Sequence, residues 1–226
     1  MWPPLFLSLQ VATIATLLSV VLGTLLAILL GWKRLPVPDL FGAIVSTPLV
    51  LPPTVLGYYL LVALGPSSAI GRLYHWLFGT DIVFTFTAAV IAATVGAIPL
   101  VVGAVRIGIE SVEPTLLAAA RTLGASPVRV LLTITLPLAT PGIVAGAMLA
   151  FARALGDYGM TQMVASSRFN GLLGIDNQSP ASIFVYDQLV AQRDDDARAM
   201  ALATTCVGVV MLLLANRFTR RLHHRG

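Results

Sequence analysis

Charge is scarce in this chain: 11% of its 226 residues are Asp, Glu, Lys or Arg, against 57% hydrophobic. No ordinary water-soluble domain has that balance. There is one lysine, Lys33, in Gly31-Trp32-Lys33-Arg34. A phosphate-binding Walker loop needs a Gly-Lys-Ser or Gly-Lys-Thr core, so ATP hydrolysis by that route is excluded. The single cysteine, Cys206, rules out an intramolecular disulfide and a cysteine metal cluster, and its place in an apolar run marks it as a small packing residue. His75, His223 and His224 fall in expected loops and the tail, without the carboxylate neighbours or spacing of a zinc site, so no metal site is expected. No histidine accompanies the Ser and Thr hydroxyls of the apolar runs, which argues against a membrane-embedded hydrolase or transferase. A formal charge of +4 and a pI near 9.7 would suggest nucleic acid in a soluble chain. Here the basic residues mostly lie between apolar runs, so no nucleic-acid partner is expected.

What the sequence has instead is length of apolar run, with a mean hydropathy of +0.89. Crossing a hydrocarbon layer of about 30 Å takes roughly 20 apolar residues in a helix. Five runs qualify: Leu5 to Leu30, Leu40 to Leu64, Ile82 to Val105, Ala139 to Val164 and Ala199 to Ala215. Each is too long and too continuous for the alternating strands of a membrane barrel. The expected fold is therefore an all-α integral membrane protein in contact with lipid, a single domain over residues 1–226. The first run lacks a preceding basic residue and exceeds the apolar segment of a signal peptide, so it is expected to be retained. The connection from Ala165 to Arg198 is partly apolar and leaves room for a sixth, short or re-entrant helix.

Basic residues set the orientation. Lys33, Arg34, Arg106, Arg121, Arg129, Arg217, Arg220, Arg221 and Arg225 share one side; Arg72, Arg168, Arg193 and Arg198 fall on the other, diluted by Asp81, Asp176, Asp187 and Asp194 to Asp196. The amino terminus is thus expected outside and the carboxyl terminus in the cytoplasm. This makes the segment from about 110 to 138 cytoplasmic. Glu113-Pro114 opens a helix, Gly124 stops it in a left-handed conformation, and Ser126-Pro127 starts a second that runs to Pro137. On pattern alone the pair is either a docking knob or an amphipathic hairpin resting on the membrane.

Ala118-Ala119-Ala120, followed by Gly124-Ala125 and by Ile134-Thr135-Leu136-Pro137, resembles the coupling loop of ABC-importer permeases. The sequence departs from that motif at Ala118, where an acidic residue is usual, and Glu113 is not assigned the missing role. Two further stretches, Thr47 to Leu61 and Phe151 to Gly159, are similar to the permeases of molybdate importers, with tungstate and sulfate permeases as near neighbours. The resemblance implies a permease-type bundle whose 113–137 loop docks on a separate ATPase subunit, which alone uses ATP and Mg. It also implies a homodimer, an external oxyanion-binding protein and a bacterial inner-membrane location, with no cofactor held by this chain.

Several residues then become candidates for an anion path or gate. Pro52 and Pro53 remove two amide donors, so the second helix is expected to break, directing the amino end of its second half at mid-membrane; Thr47 and Thr54 would add hydroxyl donors. The plainer reading is a proline kink that only serves packing, with Gly57 as a close-contact point. Arg153 and Asp157, four apart and expected on one helical face, are either a locking ion pair or part of the path. Gly142, Gly146 and Ala150 form a small-residue stripe for a subunit interface or for internal packing. Trp2, Tyr58, Tyr59, Tyr74 and Trp76 read as interfacial anchors. An ion-gradient-driven transporter is the competing class; it would carry several buried acids and inverted repeats, whereas the runs hold the one carboxylate Asp157 and no convincing repeat.

Overall fold

A computed structural model describes residues 2–31, 38–165, 169–171 and 177–223. Lys33, Arg34, Arg168, Asp176, His224 and Arg225 lie outside the described residues. In chain order the helices are α1 (Trp2–Leu30), α2 (Pro38–Val50), α3 (Pro53–Leu64), α4 (Ala69–Phe78), α5 (Phe86–Glu110), α6 (Pro114–Thr122), α7 (Pro127–Val130), α8 (Leu136–Leu138), α9 (Thr140–Leu155), α10 (Gly159–Ala165), α11 (Ala181–Val190) and α12 (Asp194–His223). A π-helical turn, Leu131–Thr135, joins α7 to α8.

Of these, α1, α5 and α12 are long and apolar enough to cross a bilayer unbroken. The pair α2 and α3, bent by 111°, and the stretch Pro127–Leu138 with α9, bent by 64°, bring the number of spans to as many as five. The fourth run is not the single helix expected over 139–164: it is interrupted at Gly156-Asp157-Tyr158, so Asp157 lies in a break and does not share a continuous helical face with Arg153. The expected sixth element exists as α11, but its 10 residues reach only about 15 Å and do not span.

Packing inverts the soluble rule, large side chains outward and small ones inward. From Ala12 onward the buried residues of α1 are Ala12, Ala15, Ser19, Gly23 and Ala27, while Leu17, Leu18, Val21, Leu22, Leu25 and Leu29 are exposed to what would be lipid; only its amino end buries larger side chains, Leu5, Leu7 and Val11. Hydrocarbon gives no reward for hiding leucine from itself, so close backbone approach decides which face turns in. α5 forms the centre, with Ala88, Ala89, Ala92, Ala93 and Ala97 buried against its neighbours. A Cβ added at Gly23 would lie 2.7 Å from Val101 Cγ1, and one at Gly142 would lie 2.7 Å from the Ala104 carbonyl and 2.9 Å from Gly108 Cα. Gly146 approaches Val101 Cα in the same way. The Gly142, Gly146, Ala150 stripe therefore serves internal α5–α9 packing.

α4 and two side-chain environments differ from expectation. The 65–81 connection contains α4, capped by Ser68, whose hydroxyl oxygen accepts from the Gly71 N–H at 2.8 Å, and closed by Gly79 at φ 72°. His75 thus sits on a helix, 3.1 Å from Asp81, and His223 ends α12 and is not part of a tail. Cys206 is exposed on α12 and not a buried packing residue, because α12 turns little of its surface toward the bundle. Trp2, Tyr58, Tyr59 and Trp76 are exposed, whereas Tyr74 packs on Phe78 at 4.5 Å between ring centres.

The α5–α9 contact should tolerate no added atom. Gly142→Ala is expected to cost about 1 to 3 kcal/mol and to lower the melting temperature in detergent. Gly103→Ala, where a Cβ meets nothing within 4 Å, should leave it unchanged or slightly raised.

Candidate translocation path and coupling surface

The break between α2 and α3 follows from proline chemistry. Pro52 and Pro53 carry no N–H, so the Pro48 and Leu49 carbonyls lose their helical donors, and Pro52 adopts an extended ψ of 138°. Hydrogen bonding resumes with Leu56 N–H to the Pro52 carbonyl at 3.0 Å. A turn of 111° exceeds a packing kink: the chain changes direction, and α3 begins without any side-chain cap. Pro52, Pro53 and Thr54 are exposed there. Thr47 is exposed too, but its hydroxyl donates to its own helix, to the Ala43 carbonyl at 3.0 Å, so its one proton is already committed.

The two breaks touch. A Cβ on Gly159, at the start of α10, would be 3.0 Å from Pro53 Cβ and 3.3 Å from Thr54 N; one on Gly57 would meet Met163 Cβ at 2.9 Å and Met160 Cα at 3.0 Å. α3 and α10 therefore lie side by side in the same direction, amino ends together. Asp157 sits above that junction with its side chain 1% exposed. One carboxylate oxygen accepts from Arg153 Nη1 at 3.1 Å, the other from the Thr161 N–H at 2.9 Å and the Thr161 hydroxyl at 2.7 Å. Asp157 is thus at once the cap of α10 and the counter-charge of Arg153. The structure brings Arg153, Asp157, Pro53 and Thr54 into one region; Thr47 lies on the far side of the Pro52 turn.

At the other end of the bundle stands the two-helix segment. Glu113 precedes Pro114, the first residue of α6; Gly124 has φ 82°; Ser126 accepts from the Arg129 N–H at 3.3 Å and starts α7. Pro137 does not end the second helix as expected. The π turn just before it accommodates the missing N–H, and the chain instead bends at Ala139. α6 buries none of its residues: Glu113, Ala118, Ala119, Gly124 and Pro137 are exposed, Ala120, Ala125, Ile134 and Leu136 half-buried. Leu123, 88% exposed, and Leu116, Val128 and Leu132 add apolar surface. The knob stands directly on α5 and α9, whose Gly108 and Gly142 are in backbone contact above it.

This architecture, two broken helices that meet and an exposed two-helix knob at one end, is that of the membrane subunit of an ABC transporter. Its fold matches a chain of the MetNI methionine ABC transporter in an inward-facing conformation, with a TM-score of 0.77 at 18% identity over 97% of this chain and 94% of that one. A chain of an amino acid ABC transporter aligns with a TM-score of 0.66 at 20% identity, over 96% of this chain and 92% of that one. Residues 10–225 match the family model described as binding-protein-dependent transport system inner membrane component, and the chain belongs to that family. Among its relatives, the molybdenum transport system permease protein ModB of Escherichia coli K12 is 39% identical over 97% of this chain and 93% of its own. The ModB of Mycobacterium tuberculosis is 37% identical over 93% of this chain and 76% of its own.

Removing the Asp157 carboxylate would leave both Arg153 and the Thr161 amide without a partner. Asp157→Ala is expected to destabilise the protein by at least about 2 kcal/mol. Asp157→Asn, which keeps an oxygen for the cap, should lose less, and paired thermal melts of the two variants read the difference.

Proposed function

We propose that this chain is the permease subunit of an ATP-driven importer that carries a tetrahedral oxyanion, molybdate, into the cytoplasm. The observation that carries the substrate is the 39% identity to a molybdenum transport permease over 97% of the chain. In this reading two copies enclose the path, a separate ATPase seats against the exposed face of α6 and α7, and an external binding protein delivers the anion at the opposite end. Arg106, Arg121 and Arg129 lie toward the knob, while Arg72, Arg193 and Arg198 at the other end are accompanied by Asp81, Asp187 and Asp194 to Asp196. That asymmetry supports a cytoplasmic knob and an external amino terminus.

The geometry suits passage over retention. α3 offers an uncapped amino end with partial positive charge, and the Arg153 cation is already paired with Asp157. Tight binding then falls to the external partner. Movement of the knob reaches the path through α9, which leads from the π turn to the α9–α10 break.

The test is uptake of labelled molybdate into proteoliposomes containing the permease, its ATPase and loaded binding protein. Uptake should require internal ATP, be competed by excess tungstate, and be lost in Gly124→Pro, which cannot adopt φ 82° and deletes the Gly124 N–H bond to Arg121. Uptake without ATP, driven by an ion gradient, would overturn the reading; uptake of labelled sulfate in preference to molybdate would reassign the cargo.

A further inference from the structure

The knob and the end of α1 do not close on each other. α6 packs on α7 and buries none of its own residues. Where the knob meets the carboxyl ends of α1 and α5 there is a cavity of about 300 Å³. Its lining includes Ile28 and Gly31 of α1, Leu117 and Arg121 of α6, and Leu131 and Thr135 of the π turn. Leu117 and Arg121 stand one turn apart and so share a face of α6.

Of the side chains that line this cavity, only those of Arg121 and Thr135 are polar. The Thr135 hydroxyl is taken, donating to the Val130 carbonyl at 3.4 Å. Among the described residues the Arg121 guanidinium has no ion pair and no hydrogen bond. The two carboxylates at this end lie elsewhere: Glu110 holds Arg106 at 3.5 Å. Glu113 stands at the start of α6, roughly 12 Å back along the helix axis from Arg121. Arg129 adds a second positive charge to the knob but does not line the cavity.

An apolar cleft with one free hydrogen-bonding head gives water too few partners to be a good home for it. What it matches is an amphiphile: an acyl chain for the apolar walls and an anionic phosphate for the guanidinium, which bonds phosphate through two parallel N–H groups. The bilayer supplies such a molecule at this place. Leu25, one turn before Ile28, and Leu29 beside it are exposed to what would be lipid, so the lipid-facing surface of α1 runs up to the lining of the cavity. Unpaired positive charge at the edge of the membrane selects headgroups of net negative charge.

We propose that this cavity is a binding site for a phospholipid of net negative charge, with its phosphate on Arg121 and an acyl chain against Ile28, Leu117 and Leu131. A lipid seated there fills the gap that the side chains leave between knob and bundle, so the membrane itself braces α6. Such a site serves whatever cargo the chain carries.

Native mass spectrometry of the full-length permease, titrated with phosphatidylglycerol or with phosphatidylcholine of the same chain length, reads the affinities directly. Wild type should prefer phosphatidylglycerol. Arg121→Gln should weaken phosphatidylglycerol about tenfold, the loss expected of one charge-assisted contact, and should largely erase the preference. Arg129→Gln removes the same charge from the same knob outside the cavity and should change the affinity far less. Dihexanoyl phosphatidylglycerol, which presents the headgroup without a long chain, should bind more weakly than the long-chain lipid. Equal losses in the two variants would assign the attraction to surface charge and overturn the site. Equal binding of the two long-chain lipids by wild type, or of the short-chain and long-chain phosphatidylglycerols, overturns it as well.

Discussion

Hydrocarbon offers no hydrogen bonds, so a membrane helix can be interrupted only where its freed backbone groups find partners within the protein. The two interruptions in this chain meet that constraint differently: the first lies at an exposed turn, the second is satisfied by groups of the protein itself. At Pro52-Pro53 the donors are simply absent, and α3 restarts on the Pro52 carbonyl. At Gly156-Asp157-Tyr158 the donors remain, and a carboxylate and a serine hydroxyl from another helix take over the pairing. Because the second break depends on α11 and on Arg153, it brings a surface helix and a buried charge into the same structural unit. The candidate path exists where these two solutions meet, at Gly159 against Pro53.

Transmission between the ends follows from the packing. Large side chains separated by flexible methylene contacts absorb small displacements, whereas backbones held at glycine contact do not. α5 and α9 touch through Gly108 and Gly142 directly above the knob and through Gly146 and Val101 further along. α9 then leads into the break. In the proposed importer reading, a tilt of the knob would be conveyed as a rigid movement of α9 against α5, and the break at 156–158 is the first place along α9 where it could be taken up. The π turn at Leu131–Thr135 sits at the other end of the same lever, immediately before the 64° bend.

What was legible in the sequence is what bilayer thickness and backbone chemistry dictate. The apolar runs, the Pro52-Pro53 break, the left-handed Gly124 and the Ser126 cap depend on one or a few residues whose conformational preferences few neighbours override. The α9–α10 break was hidden by apolar continuity from Ala139 to Val164, although Gly156, Gly159 and the Asp157…Thr161 spacing carried the signal of a capped restart. The Asp157–Arg153 spacing drew attention to charge instead. α4 was missed because its 10 residues, interrupted by Arg72 and His75, are too short to read as a span, yet Ser68 and Gly79 bracket it as caps. Pro137 misled because a π turn can accommodate a proline that an ordinary helix cannot. The exposure of Cys206 was not readable at all, since a helix apolar on every side does not announce which face meets its own chain.

The pairing of Arg153 with Asp157 has an electrostatic consequence for any dianion that approaches the breaks. An unpaired guanidinium 4 Å from a charge of −2 would attract it by about 8 kcal/mol at an effective dielectric constant near 20. That is a trap, and a permease that must release its cargo at every cycle is slowed by one. With Asp157 at 3.1 Å the pair is close to neutral, and what remains is the amino end of α3, equivalent to roughly half an elementary charge. The same arithmetic gives about half the attraction, enough to offset part of the dehydration of an anion entering the membrane and too little to hold it there. The carboxylate that completes the fold at the break thus also sets the depth of the electrostatic well beside it.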